Sequence, residues 1–185
     1  MPEQLKLKFR TIPLWLIVVL CALSAGCGGD FDAYAIKERA ERGPVLLDSE
    51  EVTLNTTEID CGVANELWGA PSAGGGARVI YRLTDKARDL HFSDDIYAND
   101  AGFDQPHTQV RGKFQLQLDR VVAVNGPNAY TRLVQAQIGV RIPHPCFPTP
   151  LRIMGVRKGK FAPDEAPTLL YEAREDGWQA AHIVH

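Results

Sequence analysis

Between Val110 and Ile142, apolar and polar residues alternate at 114–119 and again at 134–142, and Val121-Val122-Ala123-Val124 continues the first run up to one interruption. The apolar positions are Phe114, Leu116, Leu118, Val134, Ala136, Ile138, Val140 and Ile142. A period of two is that of a β-strand with one face buried and the other in water. The interruption, Asn125-Gly126-Pro127-Asn128, is typical of a turn. The pattern therefore predicts a long antiparallel hairpin.

Shorter runs of β-forming residues lie on both sides of this hairpin, at 52–54, 78–83, 151–157, 168–174 and 178–184. The last two flank Glu175-Asp176-Gly177, which is a second hairpin signal. We predict a mainly β fold, an antiparallel sandwich or barrel of about six to seven strands. One short helix is expected before the strands, at 31–42, ended by Gly43-Pro44.

The start of the chain has the composition of an export signal. Lys6, Lys8 and Arg10 precede ten apolar residues at 14–23. Ten residues are too few to cross a bilayer, which takes roughly 20. A basic leader, a short apolar region and small residues after it are typical of a secretory signal peptide.

Ser24-Ala25-Gly26-Cys27 follows and resembles the lipobox of bacterial lipoproteins, with Ser24 where that family has Leu. The resemblance covers residues 1–27. It implies that Cys27 is diacylated, with palmitate or a similar chain, and becomes the new N-terminus. Stable anchoring takes more than one acyl chain, which a diacylglyceryl group supplies. An uncleaved anchor, or ordinary cleavage after Ala25 or Gly26, stays open as an alternative.

These features divide the chain into three parts. Residues 1–26 are the predicted lipoprotein signal peptide, 27–43 a tether with the short helix, and 44–185 a single β-rich domain. The protein is then exported and anchored to the bacterial membrane, facing the periplasm or the cell exterior. The membrane, reached through the anchor, is its first expected partner.

Cys61 and Cys146 are the two cysteines that remain after the signal and the lipidated Cys27. An oxidising compartment favours a disulfide between them. On the chain-entropy model, closing so long a loop stabilises a fold by roughly 4.5 kcal/mol. Two buried thiols are the alternative.

The charge of the chain is unevenly distributed. Its formal net charge of −3 argues against a globally basic nucleic-acid binder. Residues 27–104 hold 16 acids and 7 bases, whereas residues 105–185 hold 6 acids and 10 bases. A basic cluster of Arg152, Arg157, Lys158 and Lys160 could meet anionic envelope polymers or lipid headgroups, or could be a solvated turn.

An acidic segment is a candidate metal site. It contains five potential oxygen ligands, Asp94, Asp95, Asn99, Asp100 and Asp104. Such ligands suit a weak Ca²⁺ site, although the spacing is not that of an EF-hand. A solvated acidic loop is the alternative. No other cofactor is predicted.

The usual catalytic motifs are missing from the sequence. It contains no Gly-x-Ser-x-Gly, no His-Glu-x-x-His and no pair of Cys-x-x-Cys motifs. The histidines are expected at the surface or in turns. These observations lean away from an enzyme and favour a binding or structural module that engages an envelope protein or polymer.

Two alternatives remain. Leu170-Tyr171-Glu172 and the residues from Asp176 to Ile183 are similar to the terminal hairpin of NTF2-like domains, which implies a small-ligand carrier with an internal cavity. A barrel-type fold could carry a small ligand in the same way. A metal-assisted hydrolase, with ligands from distant strands, is the other.

Overall fold

The structure is a computed structural model and describes residues 43–74, 78–98, 105–157, 160–162, 164–174 and 177–184. Within these residues there are two helices, α1 (Thr56–Ala64) and α2 (Asp85–Asp89), and eleven strands. The strands are β1 (Val45–Thr53), β2 (Ser72–Ala73), β3 (Val79–Tyr81), β4 (Ile96–Ala98), β5 (His107–Asn128), β6 (Thr131–Arg141), β7 (Leu151–Arg152), β8 (Gly155–Arg157), β9 (Lys160–Ala162), β10 (Thr168–Arg174) and β11 (Gly177–Val184). The predicted signal peptide, Cys27 and the helix expected at 31–42 lie outside the described residues.

Nine of the strands form one antiparallel sheet. Seven of these nine follow one another in the order β11-β10-β6-β5-β4-β3-β2. β1 also pairs with β5, and β7 with β6, while β8 and β9 form a separate pair. The predicted mainly β, antiparallel fold is confirmed. The strands outnumber the six or seven expected because the short strands β2, β4 and β9 are not predicted, and because the single run predicted at 151–157 forms two strands, β7 and β8.

β5 belongs to both layers of a sandwich-like arrangement. Its first part, up to Phe114, pairs with β1, and its second part, from Gln115, pairs with β6. The two layers meet again beyond β7, where the Ile153 N–H donates to the Ile138 carbonyl at 2.9 Å. The next amide, that of Met154, donates to the Glu51 carbonyl of β1, also at 2.9 Å. The two ends of the strand order, β2 and β11, are not paired with each other among the described residues, so the sheet is open.

The core contains the apolar face that the alternation predicts. All eight alternating apolar residues of the hairpin are buried, and they pack with buried residues of β1, β10 and β11. Burial of this face is the main favourable contribution to folding.

The turn of the hairpin lies later than predicted, because Asn128 is opposite Thr131 and the turn is Ala129-Tyr130. Asn125-Gly126-Pro127-Asn128 instead belongs to the end of β5.

A disulfide joins Cys61 on α1 to Cys146 in the proline-rich segment after β6, as predicted. Beside it, Trp68 is buried and its indole N–H donates to the Ile59 carbonyl at 2.9 Å. The Trp68 ring packs against Phe92 and Phe147, with centroid distances of 5.8 and 6.1 Å. None of the helices in the described ranges has the length and hydropathy needed to span a bilayer.

Candidate functional site

A cleft of about 330 Å³ opens where the end of α2 meets the middle of β5 and the end of β6. The lining residues are Asp89, Leu90, His91, Lys113, Phe114, Gln115, Arg141 and Pro143. Three separate segments of the chain supply them. Antiparallel pairing aligns two of these segments, because Gln115 is directly opposite Arg141.

The cleft has an apolar floor and a polar rim. Phe114 is buried, and Leu90 and Pro143 extend the apolar surface. His91, Lys113, Gln115 and Arg141 are exposed. A concave apolar surface with a few polar groups at its edge is the usual form of a small-molecule or polymer-binding site.

The His91 ring is placed by unusual backbone geometry. His91 itself has a φ of 70°, and its ring packs edge-on to Phe114 at a centroid distance of 5.6 Å. Gly112 has a φ of 134°, and a Cβ added there would lie 3.1 Å from His91 Nδ1. A side chain at position 112 would be both conformationally strained and crowded by the imidazole. Glycine at this position thus lets the imidazole lie flat against β5.

The rim of the cleft carries two cations, Lys113 and Arg141. Among the described residues, no carboxylate forms a salt bridge with Lys113 or Arg141. Arg141 donates to the Gln117 side-chain carbonyl at 3.2 Å, and Asp89 is the one acid in the lining. Cationic donors of this kind bind carboxylate or phosphate groups through charge-assisted hydrogen bonds. The arrangement can therefore hold an anion whose remainder lies on the apolar floor.

A second group of polar residues is buried between β1 and the start of β5. Glu51 and His107 are both within the core, and Glu51 Oε1 lies 3.6 Å from His107 Nε2. The pKa of Glu51 is raised to about 7, because burial, and to a lesser extent the nearby charge of Asp94, outweigh a hydrogen bond from the Gln109 side chain that lowers it. The expectation that the histidines are at the surface or in turns is wrong for His107, because a diagonal cross-strand position places it beside Glu51 inside the fold.

The predicted calcium ligands are described only in part. Asp95 Oδ1 accepts the Leu83 N–H at 2.9 Å, and its Oδ2 accepts from Arg82 at 3.0 Å. Asp94 Oδ1 accepts the Asp95 N–H at 2.8 Å. Asn99, Asp100 and Asp104 lie outside the described residues. Across the part of the chain that the structure describes, no three His, Cys, Asp or Glu side chains are grouped to hold a metal. The Ca²⁺ site stays a prediction.

The predicted basic cluster is divided between two sheets. Arg152 is on β7, opposite Gly139 of the main sheet, whereas Lys160 is on β9 of the separate pair. The Arg157 side chain and Lys158 lie outside the described residues. The cations at the cleft come instead from Lys113 and Arg141. Their exposed positions on the hairpin were the available sequence signal, but nothing local linked them to His91.

Compared with known protein families, with curated proteins and with solved structures, the chain matches none.

Proposed function

We propose that this protein is an exported, lipid-anchored binding module of the bacterial envelope, and that the cleft between α2 and the β5–β6 hairpin holds an anionic ligand. The observation that carries the proposal is the cleft's combination of an apolar floor with two cations, Lys113 and Arg141, that form no ion pair with any described residue. Cations at the rim attract and orient a negative group, and the floor supplies the apolar contact area.

Export is supported by two independent features. The disulfide between Cys61 and Cys146 suits a compartment where thiols are oxidised. The signal-like composition of residues 1–26 and the lipobox-like Cys27 supply the route and the anchor. The tether would leave the domain facing the periplasm or the cell exterior, where envelope molecules are available as ligands.

Recovery of the lipidated protein from its own envelope tests the binding role. Bound molecules are identified by mass spectrometry for the unaltered protein and for the double variant Lys113→Glu/Arg141→Glu. Lys160→Glu is the matched control, because Lys160 is an exposed cation on the separate β8–β9 pair. We expect an anionic compound with the unaltered protein and the control but not with the double variant. The same recovered compounds from all three proteins would contradict the proposal.

The anchor is tested at Cys27. We expect the mature protein to begin at Cys27 with an N-terminal peptide heavier by the mass of a diacylglyceryl group, and to sediment with membranes. Cys27→Ser should abolish both. An unmodified N-terminal peptide from the native protein would contradict the anchor while leaving the cleft hypothesis standing.

A further inference from the structure

Three exposed cations lie on the same face of three adjacent strands. Lys113 is on β5, Arg141 on β6 and Arg152 on β7. Pairing sets their relative positions, because Gln115 is opposite Arg141 and Gly139 is opposite Arg152. Directly opposite residues in antiparallel strands point to the same side of the sheet.

The register places the three cations in one diagonal row. Arg141 lies on the strand next to Lys113 and is displaced from it by two residue positions along the strand direction. Arg152 lies on the strand after that and is displaced from Arg141 by the same two positions in the same direction. Two residues span about 6.7 Å and neighbouring strands are about 4.8 Å apart, so each step is about 8 Å between Cα atoms. The row is therefore straight, evenly spaced and about 16 Å long at the backbone.

The sheet positions between the three cations carry no charge, and Asp89 of the cleft lining is the acid nearest the start of the row. Gln115 and Gln117 lie beside it on β5, and Gly139 on β6 has no side chain. None of Lys113, Arg141 and Arg152 has an ion-pair partner within the described ranges. The row begins at the cleft, which Lys113 and Arg141 line, and leaves it at Arg152.

We infer that the ligand of the cleft is a linear polymer with repeated anionic groups, which runs from the cleft along the cation row to Arg152. This inference rests on the proposed function and names the class of ligand for the same site. One small anion can meet all three cations only if their side chains bend toward one another, which brings like charges together. A chain with closely repeated negative groups can place one of them at each cation while the side chains stay apart. Carboxylate and phosphate groups both satisfy this chemistry, since each is an anion that accepts hydrogen bonds from Lys and Arg.

Chain-length dependence tests the inference on the mature lipidated protein in a neutral detergent. Two probe series separate the anion types: galacturonate against oligogalacturonates of increasing length, and orthophosphate against polyphosphates of increasing length. Binding is measured by calorimetry as a function of salt. For one of the series we expect at least a tenfold gain in affinity from the single anion to a chain long enough to reach Arg152.

The variant Arg152→Ala separates the contribution of the cation row to binding from that of the cleft, because Arg152 does not line the cleft. We expect this variant to lower the affinity for the long chain about threefold to tenfold and to leave single-anion binding unchanged. The slope of log affinity against log salt should become shallower by about one. Lys160→Ala is the control and should change neither.

The outcomes distinguish the two proposals. If the single anion binds as tightly as the chain, or if Arg152→Ala leaves chain affinity and salt slope unchanged, the polymer inference is overturned and the cleft remains a small-anion site. If neither series binds and Lys113→Glu/Arg141→Glu changes nothing, the proposed function fails together with the inference.

Discussion

Gly62 in α1 packs directly against the aromatic cluster. A Cβ at this position would lie 1.9 Å from Trp68 Cζ2. The Trp68 side chain has little room to move away from an added Cβ. It is buried, its indole N–H is hydrogen-bonded to the Ile59 carbonyl, and its ring packs against Phe92 and Phe147. Close helix packing at this point therefore requires glycine.

Gly62→Ala should lower the free energy of unfolding by about 3 kcal/mol, through overpacking. Helix propensity alone predicts the opposite sign, a gain of about 1 kcal/mol, so the sign of the change decides between the two effects. Denaturant unfolding monitored by the fluorescence of Trp68 and Trp178 gives the measurement. Gly69→Ala is the control, because the nearest atom to its added Cβ, the Arg82 carbonyl oxygen, is 4.0 Å away. A stabilised Gly62→Ala variant would contradict the packing argument.

Glu51 makes the stability depend on pH. Its folded pKa is raised from 4.5 to about 7, mainly by burial. Between pH 4.5 and about 7, the Glu51 carboxyl is therefore mostly protonated in the folded state and mostly ionised in the unfolded state. The associated stability is complete below about pH 4.5 and is lost as pH rises through about 7.

Glu51→Gln should remove this pH dependence. A shift of this size corresponds to about 3 kcal/mol, at 1.36 kcal/mol for each pKa unit. We expect the unfolding free energy of the unaltered protein to fall by about this amount, relative to the variant, between pH 4.5 and pH 8. Asp48→Asn, an exposed position on the same strand, should leave the pH profile as it is. Parallel profiles for Glu51→Gln and the unaltered protein would exclude Glu51 as the cause.

At the scale of the element, α1 depends on its N-terminal cap. The Glu58 N–H donates to Asn55 Oδ1 at 2.9 Å, and the Asn55 N–H donates to Glu58 Oε2 at 2.8 Å. This reciprocal capping box satisfies two amides that the first turn leaves without helical partners. The helix itself contains two Thr, Ile, Val and Gly, all poor helix formers. The cap and the packing on Trp68 therefore outweigh its weak intrinsic propensity.

Asn55→Ala should destabilise the protein by about 1 kcal/mol, because it leaves the Glu58 amide without its acceptor. Asn55→Ser keeps an acceptor oxygen and should restore most of this loss. Equilibrium unfolding of the three proteins in urea makes the comparison. Equal losses of unfolding free energy in Asn55→Ala and Asn55→Ser would mean that Asn55 does not stabilise the protein through its helix cap.

At the scale of the whole molecule, the disulfide joins α1, which precedes the long hairpin, to the segment that follows it. Cys61 and Cys146 are 85 positions apart, and their Cα atoms are 5.5 Å apart. The acidic and basic halves of the chain share one sheet, because β1 from the first half pairs with β5 from the second. The crosslink and this pairing together connect the two halves into one structure.

Removal of the disulfide in Cys61→Ser/Cys146→Ser should lower the unfolding free energy by roughly 4.5 kcal/mol on the chain-entropy model. Reductant should lower the stability of the unaltered protein by a similar amount and leave the double variant unchanged. Urea unfolding with and without reductant provides both comparisons. An unaltered protein indifferent to reductant would show that the bond contributes little.

Much of the fold follows from local pattern. The alternation at 114–119 and 134–142 identifies the hairpin and its buried face, since side chains in a strand point alternately to opposite sides. The second hairpin, β10–β11, follows from its β-forming runs and turn residues. The short strands β2, β4 and β9 do not show in the sequence, because they are formed by backbone pairing with neighbours and not by a pattern of their own.

The candidate site depends on distant residues. His91, Lys113 and Arg141 come from three segments, and only sheet register and the turn after α2 bring them to one cleft. The Glu51–His107 pair likewise depends on the pairing of β1 with β5. Sequence alone determined the antiparallel β character of this protein, the solvent-exposed and buried faces of its long hairpin, and its one candidate cysteine pair. Tertiary structure decided the cleft, the cation row and the buried acid, because each is created by contacts between residues far apart in the chain.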